Sequence, residues 1–199
     1  MSQRFSRAEE IVTVALDLAE ATGAGGVTTA ALARNLGFTE AALYRYYPGK
    51  ATILAAALQH LAERLFATMV IELDAASAGD GITVGEQLRR HVRRFAPQHG
   101  LLLELLLFAT TSRSDALLEG GQALLDEYSE RMATYFEQVR GRGAGRTLPV
   151  GAELARLWTC QLLGGFLRCR LSREVWDPAT QVGFTTFVAL FDSPRPVAT

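Results

Sequence analysis

Residues 27–50 read VTTAALARNLGFTEAALYRYYPGK, and the turn and cap residues of this stretch decide the fold. Thr28 or Thr29 can cap a short helix, its hydroxyl accepting an otherwise unpaired backbone N–H. Gly37 ends that helix, because a residue without Cβ tolerates the left-handed turn. Thr39 can cap a second short helix ending near Tyr47. Pro48 suits the first turn of a long helix after it, where a missing N–H costs nothing. Leu32, Leu36, Ala42 and Leu43 then face inward, and Ala33 is small enough to let the two short helices meet. Thr39, Glu40, Ala41, Tyr44 and Arg45 remain on the outer side of the second. This layout predicts a helix-turn-helix that offers its second helix to a DNA major groove. A solvated helical hairpin without such a role shares the same spacing.

Helical periodicity continues on both sides, and strand-type alternation is absent. The sequence predicts an all-α chain of about nine helices. The first runs over 7–22, with Ile11, Ala15, Leu18 and Ala19 inward and Gly23, Gly25 and Gly26 stopping it. The fourth runs over 48–75, with Ile53, Ala57, Leu61, Leu65, Val70 and Leu73 inward. A break at 77–81 precedes a fifth helix over 84–96, which Pro97 to Gly100 end. Further helices are expected over 101–110, 116–139, 151–171 and 178–191. Between them lies a glycine-rich loop, 141–149, and the tail 194–196 is expected to fray. The expected domain division is 1–50 and 51–199.

The chain of 199 residues is 49% hydrophobic and 21% charged with a net charge of −1, a globular composition long enough for a substantial core. Bulk charge does not point to nucleic acid. Residues 1–50 balance Arg4, Arg7, Arg34, Arg45 and Lys50 against Glu9, Glu10, Asp17, Glu20 and Glu40. A DNA reading therefore depends on where the cations sit. Glu40 suits a cytosine amine, and Arg45 suits guanine or a phosphate. Tyr44 and Tyr46 offer hydroxyls to phosphates, as do Thr28, Thr29 and the start of their helix. Lys50, the single lysine, stands at the start of the fourth helix.

Other chemistries find less support. Cys160 and Cys169, on one helix, face opposite sides and read as free thiols, as in a reducing cytoplasm. The N-terminus lacks an apolar signal core, and the apolar run 101–109 is too short to span a bilayer. His60, His91 and His99 lack metal-ligand spacing, so no metal and no cofactor are expected. Ser112, Ser114 and Asp115 are near His99 only in sequence, and the glycines of 141–145 follow no strand, so no enzyme is expected. Arg89, Arg90, Arg93 and Arg94 on the fifth helix read as a solvated face, or as a surface for an anionic partner.

The stretch VTTAALARNLGFTEAALYRYYPGKATIL resembles the N-terminal domain of TetR-family transcriptional regulators. Leu43, Tyr44, Tyr46, Tyr47 and Lys50 match its pattern position by position, and Ile11, Ala15 and Leu18 match its upstream helix. The close match covers about 50 residues. Three positions depart from it: Phe38 for a common valine, Tyr47 for phenylalanine, and acidic Glu40 where small or basic residues are frequent. The resemblance implies that Thr29, Tyr44, Tyr46 and Lys50 anchor phosphates of a double-stranded DNA operator while Thr39, Glu40, Ala41 and Arg45 face bases. It further implies a C-terminal body that dimerises and holds a ligand. For a homodimer the expected interface is Leu157, Gln161, Gly164, Gly165, Phe184, Phe187, Val188 and Phe191. For a small apolar effector the expected lining is His99, Glu104, Tyr128, Trp158 and Gln161. Packing of both sets within their own subunit is the alternative. The expected function is a homodimeric repressor released by that effector. The same stretch also looks like the family's nucleoid-occlusion branch, which binds DNA and a protein partner without an inducer.

Overall fold

The computed structural model describes the backbone of residues 6–76, 83–142 and 148–192, and their side chains except at 68–76, 141, 142, 179 and 192. The expected break at 77–81, the loop residues 143–147, the tail at 194–196 and the side chains of Val70 and Leu73 lie outside the described residues. Among those described there are nine α helices and no strand.

α1 (Arg7–Gly26) starts on a capping box: Ser6 Oγ accepts from Glu9 N, and Glu9 accepts from Ser6 N in return. Ile11, Val12, Ala15, Leu16 and Ala19 are buried, while Leu18 is only half-buried. The helix is kinked rather than stopped at Gly23, where φ is 76° and ψ 162°, a conformation only glycine adopts without strain. Next come α2 (Thr29–Leu36), α3 (Glu40–Leu43), α4 (Lys50–Ala76), α5 (Val84–Arg94), α6 (Ala96–Thr111), α7 (Asp115–Arg142), α8 (Gly151–Ser172) and α9 (Val182–Asp192).

Boundaries further along the chain also differ from expectation for local reasons. Pro48 lies before α4, not in its first turn. Gly49 O instead takes the first helical bond, from Ile53 N, and also accepts from the Thr52 hydroxyl. Pro97 does not end α5. It sits in the first turn of α6, where no N–H is needed, and the break falls at Phe95. Pro178–Thr180 forms a separate 3-10 turn, so α9 begins only at Val182.

Contacts divide the chain into two compact units, Met1–Arg64 with Leu101–Leu124, and Leu65–Gly100 with Leu125–Thr199. The first unit takes in the start of α4 and parts of α6 and α7. Its core includes Ile11, Leu32, Leu43, Ile53, Leu54, Leu58, Leu105 and Leu117. The second unit is built on an aromatic cluster. Trp158, fully buried, lies 5.5–6.2 Å between ring centroids from Phe136, Phe184 and Phe187. Rings at such separations add to the apolar burial that stabilises the cluster.

Candidate nucleic-acid interface

The first unit holds the short helices in place through backbone chemistry readable in the sequence. Thr28 is the cap of α2, its Oγ1 accepting from Ala31 N at 3.1 Å. Gly37 closes α2 in the left-handed conformation at φ 67°. Thr39 caps α3, accepting from Ala42 N at 3.2 Å. Although α3 itself is short, Tyr46 N and Tyr47 N both bond to Leu43 O, so the turn carries on through the tyrosines. Leu43 is buried and anchors the inner side. Tyr47 is half-buried, and its hydroxyl donates to Ala8 O of α1 at 3.4 Å. Burial, with the nearby Glu9 charge second, pushes the Tyr47 phenol up from its ordinary range. The bulky Phe38 lies under the Arg7 guanidinium, 5.5 Å from ring centroid to Cζ.

The outer side of this segment is open. Thr39, Glu40, Ala41 and Arg45 are exposed, and Tyr44 and Tyr46 are 52% and 46% exposed. These large aromatic rings stand in water beside a cation and a carboxylate. A row of hydroxyl, carboxylate, phenol and guanidinium groups on one convex turn can offer both donors and acceptors to groove edges and phosphates.

Two residues expected at phosphates are engaged within the protein. Thr29 does not cap α2; its hydroxyl donates to Glu40 Oε2 at 2.6 Å, joining the start of α2 to the start of α3. Lys50 is half-buried. Its Nζ donates to Gly25 O at 3.0 Å and lies 5.0 Å from the centroid of Phe108 of α6. Burial lowers its pKa from the ordinary lysine value. None of these partners is visible in the local pattern, because Gly25, Glu40 and Phe108 are remote in sequence.

The residues expected to line a ligand cavity are divided between the two units. Glu104 belongs to the first unit, where its Oε1 accepts from Ala24 N at 3.2 Å beside the Gly23 kink. A Cβ on Gly23 would meet that oxygen at 2.9 Å. The others lie in the second unit, packed into its interior. The Trp158 indole N–H donates to the Tyr128 hydroxyl, and Tyr128 stacks on Phe66 at 5.6 Å. Burial raises the Tyr128 pKa beyond the ordinary tyrosine range. His99 is buried, its Nδ1 2.9 Å from Phe95 O, with the His91 ring edge-on at 5.5 Å. Gln161 is half-buried against Gly183, where a Cβ would overlap its amide. An open groove of about 630 Å³ is lined instead by Ala133, Thr134, Glu137, Gln138, Val150, Gly151 and Ala152, none of them expected.

The expected subunit interface needs a similar correction. Phe184, Phe187 and Val188 are buried in the chain's own core, because α9 turns its aromatic stripe onto Trp158 and Phe136. Phe191 stacks on Phe136 at 5.6 Å. Gly165 is half-buried against Gln181. Leu157 and Gly164 do face outward, and Cys160, Leu163, Leu167 and Leu171, none of them expected at an interface, join them on the exposed side of α8. No helix among the described residues is long and apolar enough to cross a membrane.

Comparison with known proteins agrees with this geometry. Residues 11–57 match the family described as bacterial regulatory proteins, tetR family. The nucleoid occlusion factor SlmA of Vibrio vulnificus is 30% identical over 178 residues, covering 82% of this chain and 81% of that protein. The SlmA of Aliivibrio fischeri is 26% identical over 194 residues, covering 94% and 95%. Among solved structures, regulatory protein TetR from Rhodobacter sphaeroides superposes with a TM-score of 0.70 at 20% identity, over 94% of this chain and all of that one. The multidrug binding protein EbrR complexed with imidazole gives 0.64 at 20% identity, over 96% and 97%.

Proposed function

The chain belongs to the tetR family of bacterial regulatory proteins, and from that premise we propose that this DNA-binding regulator works as a homodimer that represses from a near-palindromic duplex site in the cytoplasm. The observation that carries the reading is the exposed outer face of 39–46, whose aromatic and charged groups no element among the described residues covers. Tyr44, Tyr46 and Arg45 supply donors for phosphates and base edges, and Thr39 and Ala41 supply small groups that let α3 sit deep in the groove. Two such segments enter successive major grooves about 34 Å apart when the dimer axis meets the operator's axis.

The dimer forms through the outward stripe of α8. Leu157, Cys160, Gly164, Leu167 and Leu171 recur at alternating spacings of three and four, the seam of a helix that packs on another helix. Leu167 and Leu171 are 44% and 78% exposed, a large apolar cost for an isolated subunit. Gly164 has no heavy atom within 4 Å of an added Cβ, leaving room for a partner's backbone. Symmetric pairing of such a stripe with its own copy is the ordinary route to a twofold dimer.

Release by a small apolar effector is one form of regulation. EbrR, a protein of the same fold, is described as multidrug-binding. A coupling of about 1–3 kcal/mol would suffice. A second reading, a protein partner with no inducer, is favoured by the SlmA relatives and by the close packing around Tyr128 and Trp158. Selection of bound fragments from a random duplex pool with the purified full chain tests the central claim. Recovery of a two-fold-symmetric site bound by two chains is expected. Uniform recovery of all sequences, or one chain per site, would refute it. Adding apolar compounds or division-machinery proteins to the bound complex then separates the two forms of regulation.

A further inference from the structure

Within the DNA-binding reading, on which this step rests, we infer that Thr29 is a positioning residue that aims Glu40 at a cytosine of the operator. Thr29 has one hydroxyl proton, and it is donated to Glu40 Oε2 at 2.6 Å. A phosphate oxygen placed at that hydroxyl would have to break a short bond to a charged acceptor, the stronger class of hydrogen bond. It would also meet the Glu40 carboxylate itself, a like charge. Thr29 therefore works on the carboxylate and not on the sugar-phosphate backbone. The neighbouring Thr28 hydroxyl accepts from Ala31 N as the α2 cap, which leaves its own O–H for a phosphate oxygen.

The bond changes what Glu40 can do. An exposed glutamate ordinarily samples many rotamers, and fixing one costs entropy at the moment of binding. With Oε2 held by Thr29, the side chain is pre-set and Oε1 is left to accept. Glu40 is the first residue of α3, and the N-terminal residues of a recognition helix are those that reach base edges. A group that only accepts discriminates sharply in the major groove. Cytosine offers the N4 amine. Guanine presents the acceptors N7 and O6, which repel a carboxylate. Thymine presents O4 and a methyl group. Adenine offers N6–H but sets the N7 acceptor beside it. Cytosine is thus preferred, adenine second, and guanine and thymine are rejected. Glu40 is the specificity-determining group at one base pair of each half-site, and Thr29 sets its aim.

The test measures the full chain and its Glu40→Ala, Glu40→Gln, Thr29→Val and Thr29→Ser variants on the selected operator, with all four bases placed in turn at each half-site position. At one position the parent chain should prefer cytosine over guanine by about tenfold, the scale of one hydrogen bond to a charged group. Glu40→Ala should erase that preference and leave the other positions alone. Glu40→Gln should move it to adenine, since an amide can pair with N6 and N7 together. Thr29→Val should reduce it severalfold at an unchanged salt slope, and Thr29→Ser should restore it. A Thr29→Val variant that weakens all sequences equally and lowers the salt slope by about one unit would overturn the inference, making Thr29 a phosphate contact. Base preferences unchanged in Glu40→Ala would overturn it as well, with DNA binding intact. Failure of the parent chain to bind duplex DNA would instead overturn the DNA-binding reading and carry this inference down with it.

Discussion

Acid should unfold this protein earlier than its carboxylates alone would require. His91 and His99 are buried, and burial is the leading cause holding both imidazoles at a pKa of about 4, well below the ordinary 6.5. The Arg94 charge acts in the same direction on His91, and the neighbouring His91 does so on His99. The bond from His99 to Phe95 O opposes the shift. Each histidine is more easily charged when unfolded, so its stabilising contribution is full above pH 6.5 and is lost as pH falls toward 4. At pH 5, a gap of about 2.5 units removes about 2 kcal/mol per histidine relative to pH 7.5, and about 4 kcal/mol if both act independently. Ring centroids only 5.5 Å apart make the second protonation in the folded chain harder than the first, which keeps the loss within that window close to the larger figure. Against a typical stability of 5–15 kcal/mol this is a large fraction. Urea unfolding of the full chain at pH 7.5, 6 and 5 measures it. The double variant His91→Leu, His99→Leu should lose much less stability over the same interval, whatever its stability at pH 7.5. Equal losses in the two chains would show that these rings do not carry the acid sensitivity.

Other perturbations are more local. Tyr44→Phe should weaken binding to every duplex by about 1 kcal/mol, one hydrogen bond, seen as a parallel shift in titrations on matched and mismatched sites. Arg45→Ala should either relax one base preference or lower the salt slope of binding by about one unit, depending on whether it meets guanine or a phosphate. Gly164→Trp should fold normally, because the space at Gly164 is open within the subunit, yet sediment as a monomer and bind the two-fold site poorly; a stable dimer would refute the α8 seam. Gly151→Ala should cost about 1–3 kcal/mol in thermal unfolding, because its Cβ would overlap the Ala133 carbonyl where α7 and α8 touch.

What the sequence made legible and what it hid follow a physical boundary. The cap Thr39, the left-handed Gly37 and the inward Leu43 all act within four residues and are legible in the sequence, which narrows the α2 cap to Thr28 or Thr29. The outer face of 39–46 follows from them, since a helix pinned on one side must expose the other. Thr29 and Lys50 carry the same motif letters but take partners from other elements, and no local period reports that. Helix α8 was misread for a different reason: it is apolar on two sides. Leu154, Trp158, Leu162, Phe166 and Cys169 go inward, while Leu157, Cys160, Gly164, Leu167 and Leu171 go outward. A hydrophobic count cannot separate two such stripes, and the aromatic α9 then appears to belong to the outer one. Only the core's demand for Phe184 and Phe187 around Trp158 assigns them. The leftover stripe is the informative one. A chain that has filled its interior with Trp158 and its ring of phenylalanines and still exposes leucines along one helix has apolar surface beyond its own need, and a second copy is the partner whose matching stripe is guaranteed to exist.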